Sequence, residues 1–314
     1  MSSPSLDEFR RHMAGYPPPV VVFNKSHSGS RMLARFLSSA GIFMGSHLNE
    51  SSDSLDVLEL VEYLVTRYYP DYSPLWDSRN PADSDLSRLL HRVFARHLEN
   101  YRGHAPWGWK LCETTYILPV LDYCFPAARF LHLIRDGRDV AFCDHKAPDS
   151  PFWRKIYFNV GNIRTFGGLR LTPQAYRRQS HLFNALHWVN SVSMGRAFGA
   201  MLHDRYREIR YEDLCRDFEN TIRPLSEFLG LDPGKLPLPT EVYVSSVGKY
   251  QAKPRALLDP VVRIEKPLLL ALKYLEEDHE PARRAPWRSD LADRLADRWR
   301  RRPRANQSAG RRPK

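Results

Sequence analysis

The chain has 314 residues, 42% hydrophobic and 12% aromatic, enough to bury a sizeable core and to exclude wholesale disorder. Its formal net charge of +11 is unevenly placed: residues 281–314 carry 12 Lys/Arg against 3 Asp, which leaves the first 280 residues near neutral. A near-neutral body without aromatic-basic alternation argues against a specific nucleic-acid partner, and the basic end is expected to contact anionic surfaces instead.

Pro17-Pro18-Pro19 closes a polar leader, and Val20-Val21-Val22-Phe23 reads as a buried strand, short and β-branched. A polar loop, Asn24–Ser30, leads into Arg31–Leu37, whose apolar residues recur at helical spacing. Gly108–Leu111 is a second predicted strand, followed by helix over about 115–124. Arg129–Ile134 is a third, running through Arg135-Asp136-Gly137-Arg138-Asp139-Val140 into another helix. Arg207–Arg210 is a fourth, preceding Tyr211-Glu212-Asp213-Leu214 and an amphipathic helix that ends near Leu229-Gly230, where glycine suits the cap. Long helical inserts at 54–66, 86–101 and 177–204 are expected to shape substrate access. The alternation predicts an α/β fold: a mostly parallel sheet flanked by helices, in one domain over 1–280. Residues 281–314 are expected to form a basic tail, partly disordered, with a short amphipathic helix near 289–301.

Cys112, Cys124, Cys143 and Cys215 form no C-x-x-C pair and no Cys/His cluster at zinc spacing, so reduced, mostly buried thiols and no metal are expected. The N-terminus lacks the apolar centre of a signal peptide, and no apolar run approaches the roughly 20 residues of a membrane helix. The expected location is the cytoplasm.

Ligands of open α/β sheets bind beyond the carboxyl ends of the strands, where Asn24–Ser30 falls. A helix N-terminus there offers backbone N–H groups and a partial positive charge, so Ser28, Gly29 and Ser30 could wrap a phosphate or sulfate. Lys25, His27 or Arg31 would supply the charge. A Ser-Gly-Ser turn with Ser30 as a helix cap would look the same. The loop is not a Walker A sequence, because Ser30 rather than Lys follows Gly29. A second basic turn changes the balance: Arg135 ends the third strand and Arg138 opens the next helix, and a guanidinium there can take a phosphate bidentately. Arg138 and Asp139 would otherwise form a local ion pair at the helix start.

Val20–Gly45 resembles the 5′-phosphosulfate loop of the sulfotransferases that use 3′-phosphoadenosine 5′-phosphosulfate, usually written Lys or Arg before Ser-Gly-Thr. Arg129–Cys143 resembles their 3′-phosphate motif, and Arg210–Leu214 with Glu227–Leu231 resembles the segment that follows. The resemblance covers about residues 20–250 and implies a P-loop-like sulfotransferase architecture. It implies that Lys25, Ser28, Gly29, Ser30 and Arg31 surround the 5′-phosphosulfate, and that Arg135 and Cys143 serve the 3′-phosphate. Tyr211 would lie near the adenine, and Gly248 and Lys249 would close over the 3′-phosphate. The chain departs from the family pattern twice: His27 stands where a Lys or Arg is usual, and Cys143 where a hydroxyl is usual.

The implied activity is sulfuryl transfer to a hydroxyl or amine of a small molecule, glycan or lipid. His27 as imidazolium, or Lys25, would stabilise the leaving oxygen, with Lys110 a further catalytic cation. His47, Glu50, Asp53 and Glu113 are candidates for the general base, Glu50 being favoured. A catalytically silent nucleotide-binding relative and a kinase-like nucleotide-dependent transferase are the competing readings.

Overall fold

A computed structural model describes residues 5–76, 84–103, 105–144, 150–158, 173–237 and 244–276. The tail over 281–314, with its expected helix, lies outside the described residues. In chain order the elements are α1 (Leu6–Met13), β1 (Val20–Asn24), α2 (Ser30–Ser39), α3 (Leu55–Arg67), α4 (Ser84–His97) and β2 (Gly108–Lys110). Then come α5 (Leu118–Cys124), β3 (Arg129–Ile134), α6 (Gly137–Ala141), α7 (Pro151–Phe158) and α8 (Pro173–Leu202). β4 (Tyr206–Arg210), α9 (Tyr211–Arg216), α10 (Phe218–Leu229) and α11 (Arg255–Ala271) follow.

The sheet has the order β2-β1-β3-β4, and every pairing is parallel. Val20 sits between Gly108 and Arg129, and Val22 between Lys110 and Leu131, so β1 is the hydrogen-bonded centre. Its side chains alternate between two cores as a period-two strand requires. Val21 and Phe23 join Phe9, Leu60, Phe94, Trp107 and Trp109 on one face. Val20 and Val22 join Leu33, Leu37, Ile222 and Leu229 on the other. Each fully buried Val or Leu contributes about 1.5–3 kcal/mol, which is why a run with no polar residue becomes the central strand.

All four predicted strands form. The expected helix over 115–124 divides into a 3₁₀ turn, Cys112–Ile117, and α5. Three helices were not legible: α1, α7 and α11. The polar leader contains α1, which Ser5 caps by accepting from the Glu8 N–H and which buries Leu6, Phe9 and Met13 in the main core. α11 contains Pro260 and Pro267, which interrupt the local pattern, yet Val261, Ile264, Leu268 and Leu269 pack it against α6 and α8. The cysteines are free, but only Cys124 is buried; the other three are half-buried. No helix among the described residues is long and apolar enough to cross a membrane.

Because the strands are parallel, the segments after Asn24, Lys110, Ile134 and Arg210 emerge along one edge of the sheet. That edge gathers the functional residues.

Candidate anion site at the carboxyl edge of the sheet

The loop from β1 to α2 is tightened by its own backbone. Ser28 donates from N–H (3.2 Å) and Oγ (2.6 Å) to the Lys25 carbonyl, and Asn24 Nδ2 donates to the same oxygen at 2.6 Å. His27 and Gly29 take left-handed conformations, with φ of 69° and 83°. Gly29 is the N-cap residue of α2, and no side chain caps that helix, so Ser30 does not act as the cap. The first-turn N–H groups therefore face the loop with their partial positive charge. A Cβ at Gly29 would enter the ring of Tyr211, which packs directly on the glycine. Gly29→Ala is thus expected to lose about 2–4 kcal/mol of stability from strain and overlap, read by urea unfolding; a loss under 0.5 kcal/mol would refute this packing.

Arg135, from the end of β3, clips the two turns together. Its Nη1 donates to the His27 carbonyl at 2.9 Å, its Nη2 donates to the Ser246 carbonyl, and Asp139 lies 3.4 Å from Nη2. The guanidinium stands 5.2 Å from the centre of the Tyr211 ring, whose hydroxyl meets Ser246 Oγ at 2.7 Å. Nε of Arg135 is buried and has no hydrogen-bond partner among the described residues. A guanidinium so enclosed, with donors to spare, fits an anion. Cys143, one turn further along, donates from Sγ to the Asp139 carbonyl at 3.3 Å and lies within the electrostatic reach of Arg135, Lys25 and Lys249. Arg138 pairs with Asp136 (2.7 Å) rather than with Asp139, which corrects the expected local ion pair.

Lys25 is buried, with Nζ 2.8 Å from Ser26 Oγ. Burial pulls its ammonium down to about 8, against the opposing pull of Cys112, Glu113 and Cys143. The surrounding protein, then Lys25 and Arg135, push His27 down to about 4. Its ring is therefore neutral at physiological pH, and the resting cation of the loop is Lys25.

Lys110, at the end of β2, is not the solvated strand end its position allowed; its side chain is 3% exposed. Nζ donates to Asp53 Oδ1 at 2.7 Å and to the Ser51 carbonyl at 3.1 Å. Burial opposes that charge, but the acidic groups Cys112, Asp53 and Glu113 outweigh it and hold Lys110 above its ordinary value. Asn49 Oδ1 shapes the acidic turn by accepting from the N–H groups of Ser51 and Asp53, both at 2.9 Å. Burial, then Asp53, pushes Glu113 up to about 7, with Lys110 and Lys25 pulling the other way.

The structure thus brings Lys25, Ser28, Gly29, Ser30, Arg135, Cys143, Tyr211 and Lys110 to one edge, with Gly248 and Lys249 on the adjoining 244–252 strap. It leaves Arg31 exposed on the first turn of α2 and Glu50 exposed in the acidic turn. His47 is engaged elsewhere, with buried Asp56 at 3.0 Å. The carboxyls beside Lys110 are Asp53 and Glu113. Sequence reasoning passed over Ser246, and it read Asp139 only as a partner for Arg138. The four-residue step from Arg135 to Asp139 was the available signal.

A family model described as the sulfotransferase family matches residues 19–233. The chain belongs to the sulfotransferase family. No curated protein sequence matches it. Among solved structures, it is similar to the sulfotransferase domain from the curacin biosynthetic pathway, with 16% identity, 81% of this chain and 98% of that one covered, and a TM-score of 0.46. The sulfotransferase domain of the Synechococcus PCC 7002 olefin synthase gives 16% identity, coverage of 84% and 96%, and a TM-score of 0.46. A sulfotransferase from Alicyclobacillus acidocaldarius gives 16%, coverage of 81% and 96%, and 0.43. This sulfotransferase shows no group of three or more potential metal ligands among its described residues.

Proposed function

We propose that this sulfotransferase moves a sulfuryl group from 3′-phosphoadenosine 5′-phosphosulfate to a hydroxyl or amine of a small molecule, glycan or lipid. The observation that carries the reading is the clip between two anion-competent turns: Arg135 of the β3 turn bonded to the backbone of the Lys25–Gly29 loop. Two such turns held side by side suit a nucleotide with phosphates at both ends. The residues fit it: Arg135 Nε is buried with an unused proton, α2 opens without a side-chain cap, and Tyr211 offers a ring beside Gly29.

When bound, the nucleotide supplies the sulfuryl group and a bisphosphate leaving group. The acceptor oxygen or nitrogen forms its bond to sulfur as the bridging S–O bond breaks, and the acceptor proton goes to a base. Lys25 stabilises charge on the departing oxygen, the α2 N–H groups hold the oxyanions, and Lys110, fixed by Asp53, faces the same edge. Glu113 takes the acceptor proton, because it is the carboxyl held near pH 7 within electrostatic reach of both lysines. Glu50, the carboxyl favoured from the sequence, is exposed in the 49–54 turn. The cytoplasm remains the proposed location, and the basic tail the proposed contact with anionic surfaces.

Calorimetric titration with adenosine 3′,5′-bisphosphate, adenosine 5′-monophosphate and ATP tests the reading. Wild type is expected to prefer the bisphosphate, and Arg135→Ala to lose about 100-fold in affinity for it. Equal or stronger binding of ATP would instead favour a kinase-like transferase, and bisphosphate binding without turnover on any acceptor a silent relative. Cys143→Ser restores the hydroxyl usual in the family and is expected to tighten the bisphosphate about three- to tenfold in the same titration, since a hydroxyl donates to phosphate better than a thiol. Unchanged or weaker binding would remove Cys143 from the phosphate site.

A further inference from the structure

We infer that Asp139 is a positioning residue for recognition of the 3′-phosphate, its carboxylate holding the 244–252 strap against Arg135 so that Arg135 and Lys249 converge on the anion. The inference rests on the bisphosphate reading of the site.

A carboxylate is the wrong charge to place beside a phosphate, and simple Coulomb reasoning would keep acids away from Arg135. Asp139 is nonetheless there, with its side chain wholly out of solvent. Its two oxygens are committed. Oδ2 accepts the Gly248 N–H at 2.8 Å and lies 3.4 Å from Arg135 Nη2, and Oδ1 accepts the Tyr250 N–H at 3.0 Å. Gly248 has φ of 76°, a reversal that lets two N–H groups of one short turn reach a single carboxylate. Lys249 lies between the captured residues, exposed, and its charge reaches Cys143.

The rest of the strap is fastened to the same two turns. The Ser246 carbonyl takes Arg135, Ser246 Oγ meets the Tyr211 hydroxyl at 2.7 Å, and Arg138 stacks 4.2 Å from the Tyr250 ring centre. Of the neighbouring acids, Asp136 is engaged with Arg138 and Glu212 with the Asp136 N–H and the Tyr274 hydroxyl, whereas buried Glu265 has no hydrogen-bond partner among the described residues and touches neither Arg135 nor the strap amides. Asp139 is the carboxylate paired with Arg135 among the described residues, and it alone joins that arginine to the strap amides. Its charge is spent on the guanidinium and two N–H groups, and the Arg135 Nε proton, which no described residue takes, is left for the ligand.

Asp139→Asn keeps the size but turns one acceptor into a donor facing an N–H. On the full chain, calorimetry is expected to show at least a tenfold loss of affinity for adenosine 3′,5′-bisphosphate, with adenosine 5′-monophosphate within twofold of wild type. Hydrogen exchange is expected to show the Gly248 and Tyr250 amides losing protection. A merely structural Asp139 would weaken both nucleotides together, and that result overturns the inference, as does tighter bisphosphate binding once the negative charge is gone. Should Asp139→Asn fail to fold, Gly248→Ala, which strains the left-handed turn that presents the two N–H groups and meets only the Gln251 side chain, carries the same expectation. A wild type that does not prefer the bisphosphate sinks the reading of the site, and this inference with it. A preference that survives in both variants sinks the inference alone.

Discussion

Lys25→Met is expected to lower turnover about 10³-fold while leaving the fold intact. In the proposed mechanism this charge meets the departing oxygen, and the nearby imidazole of His27, which burial above all holds down at about 4, is a poor replacement even with the Lys25 charge gone. The pH profile carries a second signature. Lys25 loses its proton near 8, so kcat/KM of the wild type should fall as the pH rises through that value, and the variant should lack this basic limb. Release of adenosine 3′,5′-bisphosphate with a panel of hydroxyl and amine acceptors provides the assay. Turnover within tenfold of wild type would hand the leaving-group role to another cation, with Lys110 first in line.

The companion expectation concerns Glu113. Glu113→Gln should cost about 10²–10³ in turnover, the range typical of a positioned general base. Glu113 must be ionised to accept a proton, and burial together with Asp53 holds it near 7, so wild-type kcat/KM should fall as the pH drops below that value. Glutamine does not titrate, and the acid limb should vanish with it. Lys25 and Glu113 also act on each other: removing the Lys25 charge removes one influence that keeps Glu113 ionised, so the acid limb of Lys25→Met should move upward. If Glu113→Gln keeps wild-type rates and Glu50→Gln does not, the base lies in the open turn instead.

Much of this site was legible because its parts are local. A β-branched run before a polar loop and a helix marks β1 and the anion loop, and an arginine at the end of a predicted strand marks Arg135. Contacts that join distant segments were not legible. Nothing near Gly29 announces that Tyr211, which opens α9 after β4, will rest on it; that depends on the order β2-β1-β3-β4. Lys110 was read from the sequence as a catalytic cation, but nothing there announced the 49–54 turn that folds over it. Glu50 was favoured over Asp53 and Glu113 on sequence position, which cannot tell an exposed carboxyl from a half-buried one within electrostatic reach of two lysines. α1 and α11 were obscured for opposite reasons, one by its polar composition and the other by internal prolines that tertiary packing overrides.

The central place of β1 also governs how the chain comes together during synthesis. Val20–Phe23 leaves the ribosome before its partners on either side, Gly108–Lys110 and Arg129–Ile134, which arrive roughly a hundred residues later. Through that interval the most apolar strand of the sheet has both hydrogen-bonding edges bare, in the composition that favours association between chains. The loop that follows it closes later still, because Tyr211 and Ser246 come after all four strands. The core of the sheet therefore rests on non-local pairings, the kind that form slowly and expose bare strand edges in the meantime, and the anion loop can close only after residues 211–246 have been made.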